Sequence, residues 1–318
     1  MGLLSNRRSA AASQTPQHNY LRGIILSFSG YTVWVGSDVL TKLAGNSLPI
    51  FEILSINLFV GSLFTVLLAY LKGGLRQLTT QRFGFYFILS VLTMGTAYGS
   101  IAGVIYLPLA DFYTIVFMSP LLLAALGYVV LKEKVDFGMW LAIIFGFCGV
   151  AVAVRSPNTS SSELPWFGVT ATCLSALSMV LAMLTVRAAG KENNYSLSLW
   201  PQLVTCGVSV IVMLVLGDVV ANLMGMTYAF LSGVFSAIGL LMTNASLRIA
   251  PVAVVSPYHY TQIVGGAAIG YLIWGHIPSF SMILGAGMIM TSGLYVLAVS
   301  QKQPELALTT KETPKNLG

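Results

Sequence analysis

Ser27, Tyr31, Trp34 and Asp38 follow one another at spacings of four, three and four residues, so a helix carries them on one stripe. Two aromatic faces leading to a carboxylate suit a cationic group or a proton. Lys42 stands four residues beyond Asp38, so the same spacing also fits a plain i,i+4 ion pair near the helix end. Both readings stay open on the sequence. A second group follows Pro257, which interrupts a helix: Tyr258, His259, Tyr260, Thr261 and Gln262. Histidine titrates near neutrality and can relay a proton. His259 and Gln262 are therefore read as cavity-lining; the alternative is a neutral histidine packed on a neighbouring helix. Tyr113 and Phe117, just before Ser119 and Pro120, form a third group, with Tyr98 and Asn244 as further candidates. Asp38 and His259 are the candidates for proton coupling.

Two other acids read as structural. Asp111 suits a helix N-terminal cap, and Glu52 falls in the first turn after Pro49, where the helix dipole favours a negative charge. Cys148, Cys173 and Cys206 have no metal-ligand spacing. No HExxH, GxSxG, Walker or dinucleotide fingerprint occurs. No metal site, cofactor or enzyme activity is expected.

The elements that position these side chains are membrane helices. Charged residues make up 8% and hydrophobic residues 56% of the 318, against roughly 25% charged in a soluble domain; the mean hydropathy is +0.82. Ten apolar runs lie at about 22–43, 49–71, 83–105, 108–131, 135–154, 164–186, 196–217, 226–247, 251–274 and 279–299. Each is near the ~20 residues that cross ~30 Å of hydrocarbon. With the N-terminus inside, fourteen of the sixteen Lys and Arg fall in cytoplasmic tails and loops, leaving only Lys42 and Arg155 outside. Both termini are thus expected in the cytoplasm. The net charge of +6 follows from this topology and needs no nucleic-acid partner.

An internal repeat divides the chain. Ala124-Ala125-Leu126-Gly127-Tyr128 recurs as Ala267-Ala268-Ile269-Gly270-Tyr271, and at the same offset Phe137, Met139 and Leu141 meet Phe280, Met282 and Leu284. Lys132 and Lys134 have no basic counterpart in Gly275-His276-Ile277-Pro278, as equivalent loops on opposite faces require. The expected organisation is a tail at 1–21, a five-helix half at 22–154, an extracytoplasmic linker at 155–163, a second half at 164–299 and a tail at 300–318. Two copies of an odd number of spans lie inverted in the bilayer, the usual plan of alternating-access carriers. Gly95, Gly99 and Gly103, and Gly266 and Gly270, recur every four residues and permit close helix approach.

The stretches Leu107-Pro108-Leu109-Ala110-Asp111, Met118-Ser119-Pro120-Leu121, Leu131-Lys132-Glu133-Lys134-Val135 and Gly146-Phe147-Cys148-Gly149-Val150 resemble the first repeat of EamA-type carriers of the drug/metabolite transporter superfamily. Ala250-Pro251, Ser256 to Gln262 and Gly270 to Gly275 resemble the second. The resemblance spans roughly 22–299. It departs from the family pattern at Lys132-Glu133, where the family usually shows Gly-Glu, at Gly275-His276, where the second Glu is missing, and at Asn57, near where many relatives carry Arg, which speaks against a purely anionic substrate. The resemblance implies an all-α membrane carrier with a central cavity lined by spans one, three and four and by six, eight and nine. Spans five and ten would be packing or dimer helices, in a monomer or homodimer.

The expectation is a secondary-active carrier of a small polar or amphipathic metabolite, such as an amino acid or derivative. Export is expected by family analogy, with protons as a candidate co-substrate and the inner membrane of a bacterium as the location. Uptake or exchange of a vitamin- or nucleoside-like compound is the alternative. A channel or an intramembrane enzyme explains the repeat less well. The candidate substrate-binding residues are Tyr31, Trp34, Asp38, Tyr98, Tyr113, Phe117, Asn244, Tyr258, His259, Tyr260 and Gln262.

Overall fold

The structure, a computed structural model, describes residues 16–80, 82–119, 121–123, 125–126, 137–154, 166–188, 193–217, 219–249 and 256–309. Pro120, the Lys132–Val135 loop, Arg155, Pro251 and the residues Ala124, Gly127 and Tyr128 of the first repeat copy lie outside them, as does the side chain of Asn244. Among the described residues there are ten α-helices and no strand. They are α1 (Pro16–Ala44), α2 (Ile50–Gly73), α3 (Phe83–Tyr106), α4 (Leu109–Val116), α5 (Phe137–Val154), α6 (Trp166–Ala188), α7 (Asn194–Leu216), α8 (Leu223–Ile249), α9 (Thr261–Trp274) and α10 (Phe280–Thr309).

Six of these, α1, α2, α3, α6, α7 and α8, are long and apolar enough to cross a bilayer outright. In the other four the apolar helical stretch is shorter. Two of the shorter ones are broken where proline falls. A proline at 120 has no N–H for the Val116 carbonyl; α4 stops at Val116, and the Ser119 hydroxyl donates to that carbonyl instead. Around Pro257 the chain makes a 3-10 turn, Ser256–Tyr260, before α9 begins. The ten helices thus follow the ten apolar runs, with α4 and α9 shorter than the runs that contain them.

Four pairings dominate: α1 on α8, α3 on α6, α5 on α10 and α2 on α7. Lipid gives no hydrophobic drive between helices, so small residues and hydroxyls make these contacts. Between α1 and α8, Ser37 Oγ lies 2.6 Å from Ser236 Oγ and donates to the Ser232 carbonyl at 3.0 Å, while Thr41 Oγ1 lies 2.6 Å from Ser232 Oγ. Between α3 and α6, Ser100 Oγ lies 2.7 Å from Ser175 Oγ, which lies 2.9 Å from the Thr96 carbonyl. Between α5 and α10, a Cβ at Gly149 would stand 2.8 Å from Met288 Cβ and 2.9 Å from the Gly285 carbonyl oxygen. Only glycine fits such an approach.

One end of the bundle is pinned by Lys42. It is 8% exposed, and its ammonium donates to the carbonyls of Val104, Ile105 and Leu107 at 2.8, 3.1 and 2.6 Å. A cation at the carbonyl end of α3 also complements the helix dipole. Its Nζ stands 5.6 Å from the Trp274 ring, on which His276 stacks. The i,i+4 pair with Asp38 left open by the sequence is not what forms, because the frayed end of α3 offers the ammonium three carbonyls. Asp111 also differs from the expected cap: Pro108 occupies that position, with Asp111 in the first turn of α4. Glu52 does sit at a helix start, where its Oε2 accepts the Val220 N–H at 3.1 Å.

Candidate functional site

A cavity of about 810 Å³ runs between α1, α2, α3, α7 and α8. It stops at Thr41, Leu54 and Val104, all buried, below the Lys42 knot. In the other direction it reaches the exposed Lys72 at the end of α2 and Tyr195 and Ser198 in the first turns of α7. The cavity is therefore blind at one end and leads out at the other.

Trp34 and Asp38 line it from α1. The close approach of α8 fixes the indole: a Cβ at Gly239 would stand 2.9 Å from Trp34 Cδ1. Asp38 Oδ2 accepts a hydrogen bond from the Tyr113 hydroxyl at 2.6 Å, a length usual for an O–H donor on a carboxylate. Opposite, α2 brings Asn57, Gly61 and Thr65, and α7 brings Gln202. Asn57 and Ser37 meet the same turn of α8 from two sides: a Cβ at Gly233 would lie 3.1 Å from Asn57 Oδ1, and Ser37 bonds Ser232. Asn57 Oδ1 is buried and has no hydrogen-bond partner among the described residues. Thr65 Oγ1 lies 3.5 Å from Gln202 Oε1. Pro201 lies inside α7, so the Leu197 carbonyl lacks the amide that position would have supplied, and Leu197 lines the cavity as well.

The other sequence candidates form a packed aromatic cluster behind Asp38. Tyr31 stacks on His259 at 4.4 Å between centroids, and Phe117 meets His259 edge-on at 4.5 Å. Phe117 also contacts Tyr260 at 5.1 Å and Tyr113 at 6.3 Å. Gln262, buried one turn on, interacts with the His259 side chain, and the Tyr260 hydroxyl is buried without a partner among the described residues, close to Gly293 of α10. Tyr258 opens the same turn, half-buried. Tyr98 packs apart from both groups, 5.2 Å from Phe51. Asp38 joins the two regions, since it lines the cavity and holds Tyr113 of the cluster. Thr65 and Gln202 were not among the sequence candidates, and Asn57 was noted only as a departure from the family pattern; the local signal at Gln202 was a proline directly before it in an apolar run.

Residues 21–155 match the EamA-like transporter family. The S-adenosylmethionine uptake transporter of Rickettsia prowazekii is 23% identical over 286 residues, 89% of this chain and 95% of the relative. The riboflavin transporter of Rhizobium johnstonii is 21% identical over 62% of this chain and 64% of its own length. Solute carrier family 35 member G1 of Homo sapiens is 28% identical over 58% and 54%. A solved crystal structure superposes with a TM-score of 0.64 at 13% identity, covering 89% of this chain and 98% of the other, which shows the fold alone. A multi-span helical bundle, a cavity that carries polar groups, the match of residues 21–155 and the transporter relatives agree: the chain resembles the EamA-like carriers, and is a metabolite transporter and not an enzyme.

Proposed function

We propose that this carrier works by alternating access, as two inverted five-helix halves, 22–154 and 164–299, rocking about the cavity. The observation that carries the reading is the cavity itself, blind at the Lys42 end and leading out at the Lys72 end. The packing supports the inverted halves. Replacing each helix by the one five places along converts α1·α8 into α6·α3, α2·α8 into α7·α3 and α1·α9 into α6·α4, and returns α2·α7, α4·α9 and α5·α10 to themselves; all of these pairs are in contact. Loop contacts follow the same exchange. Glu52 at the start of α2 holds Val220 beyond α7, while Trp200 and Ser196 near the start of α7 hold Leu78 and Thr79 beyond α2.

With both termini in the cytoplasm, as the basic residues require, the exit beside Lys72 is cytoplasmic and the Lys42 end faces outward. The cargo is a small polar or amphipathic metabolite. The bacterial relatives, transporters named for a nucleoside-like sulfonium compound and for a vitamin, favour uptake or exchange of such a compound over amino-acid export. The test is flux into liposomes carrying the purified full chain, with radiolabelled S-adenosylmethionine and riboflavin as probes. Saturable entry of either, absent from protein-free liposomes, supports the reading; linear, unsaturable flux of both opposes it.

A further inference from the structure

We infer that the blind end of the cavity favours a solute bearing an organic cation over its counterpart without that positive charge, and rejects phosphorylated or dianionic solutes; this rests on the carrier reading above. Among the described lining residues the charged groups are Asp38 and Lys72. Lys72 stands at the cavity exit, fifteen residues along α2 from Asn57, about 22 Å at 1.5 Å per residue. A metabolite lodged beside Asp38 lies beyond its reach. Lys42, the cation nearest the blind end, is turned away from the lumen onto three backbone carbonyls.

The deep pocket therefore presents one carboxylate, one indole, amides and hydroxyls. Tyr113 occupies Oδ2 of Asp38 with its hydroxyl, and the Trp34 indole, one turn away on the same stripe, adds a ring face to the carboxylate. A sulfonium or ammonium group is the chemistry this pair attracts. A phosphate there would meet a like charge and, among the described side chains lining the blind end, find no guanidinium or ammonium partner. The facing wall is neutral. Asn57 Oδ1 is a buried acceptor with no donor, and Gln202 lies a turn further toward the exit, facing Gly61 and Thr65. The volume of about 810 Å³ falls in the range of pockets that enclose a whole small-molecule ligand.

The experiment measures binding by the detergent-purified full chain to matched pairs of solutes that differ in charge: S-adenosylmethionine with S-adenosylhomocysteine, thiamine with thiamine monophosphate, and riboflavin with its 5′-phosphate. The inference expects S-adenosylmethionine or thiamine to bind at least about tenfold tighter than its partner, and riboflavin tighter than its phosphate. Asp38→Asn keeps an acceptor for Tyr113 while removing the charge, so it erases the preference for the cation within each cationic pair. Asn57→Asp, of the same size, increases that preference. Tighter binding of any phosphorylated member, failure of both cations to bind, or an unchanged preference in folded Asp38→Asn overturns the inference. Saturable flux of riboflavin alongside any of those results would leave the carrier reading standing and the charge selection refuted.

Discussion

The Tyr113 hydroxyl reaches across from α4 to donate a 2.6 Å hydrogen bond to Asp38 on α1. That bond ties the wall of the cavity to the aromatic cluster of α4 and α9, so a change at Asp38 is felt by helices that do not themselves line the described cavity. A cargo cation or a proton at Asp38 competes with Tyr113 for the same carboxylate. Tyr113→Phe should therefore leave the fold intact, with a shift in thermal midpoint of a few degrees at most, and should uncouple cargo binding from movement of α4. The check is binding and flux on one preparation: affinity held within about threefold, turnover lowered about tenfold. Lost affinity with unchanged turnover would place Tyr113 in binding alone.

Lys42→Met should open the blind end. The substitution keeps the apolar stem but leaves three carbonyls at the end of α3 without their donor, a cost of about 2 kcal/mol or more for buried, charge-assisted bonds. The expected result is a lower thermal midpoint together with faster labelling of a cysteine placed at the buried Thr41. A stable variant with Thr41 still shielded would show that other contacts close this end.

The same end should respond to acid through His276. Partial burial and the neighbouring Lys42 ammonium hold this loop histidine below its ordinary value of 6.5. It therefore binds a proton less readily here than in an arrangement where the end has opened and the ring is hydrated. Proton uptake favours opening as pH falls through about 6.5, and pH has no effect through this group well above that value. The groups facing it are Trp274, Lys42 and, beyond Lys42, Asp111. A spin-label pair at Asn46 and Ile277 should show a longer distance at pH 5 than at pH 8, and His276→Gln should abolish the change.

Gly149→Val should remove most folded protein. Its added Cβ would press on Met288 and on the Gly285 backbone across the α5–α10 contact, where no flexible side-chain end can yield. Gly287, on α10, has open space around it, and Gly287→Ala should be tolerated. Yield of monodisperse protein after detergent extraction distinguishes the two.

A good part of this architecture was legible in the sequence, for a simple physical reason. A helix that crosses a bilayer must hide its backbone from lipid over about twenty residues, and ten such runs punctuated by basic loops leave little freedom. The stripe from Tyr31 to Asp38 was readable as neighbouring positions on one helix, but the packing divides it, with Trp34 and Asp38 on the cavity and Tyr31 on His259. Its surroundings were not readable. Whether Asp38 met Lys42 or Tyr113 depended on where the end of α3 lay, and that end drew Lys42 away. Gln202 escaped notice, and Asn57 was noted only as a departure from the family pattern, because their place on the cavity comes from α2 packing on α7, a pairing that no local period encodes. His259 was correctly placed beside a helix break, yet its stacking on Tyr31 needs α1 and α9 side by side.

The measurement that tests the central claim most directly is counterflow. Liposomes holding the purified chain are loaded with unlabelled S-adenosylmethionine, diluted, and given a trace of the labelled compound outside. A carrier that exposes one site alternately to the two faces should accumulate label transiently above its outside concentration, and Asp38→Asn should blunt the overshoot. Label that only equilibrates, at a rate indifferent to internal cargo, although the compound enters saturably, would contradict alternating access through this cavity.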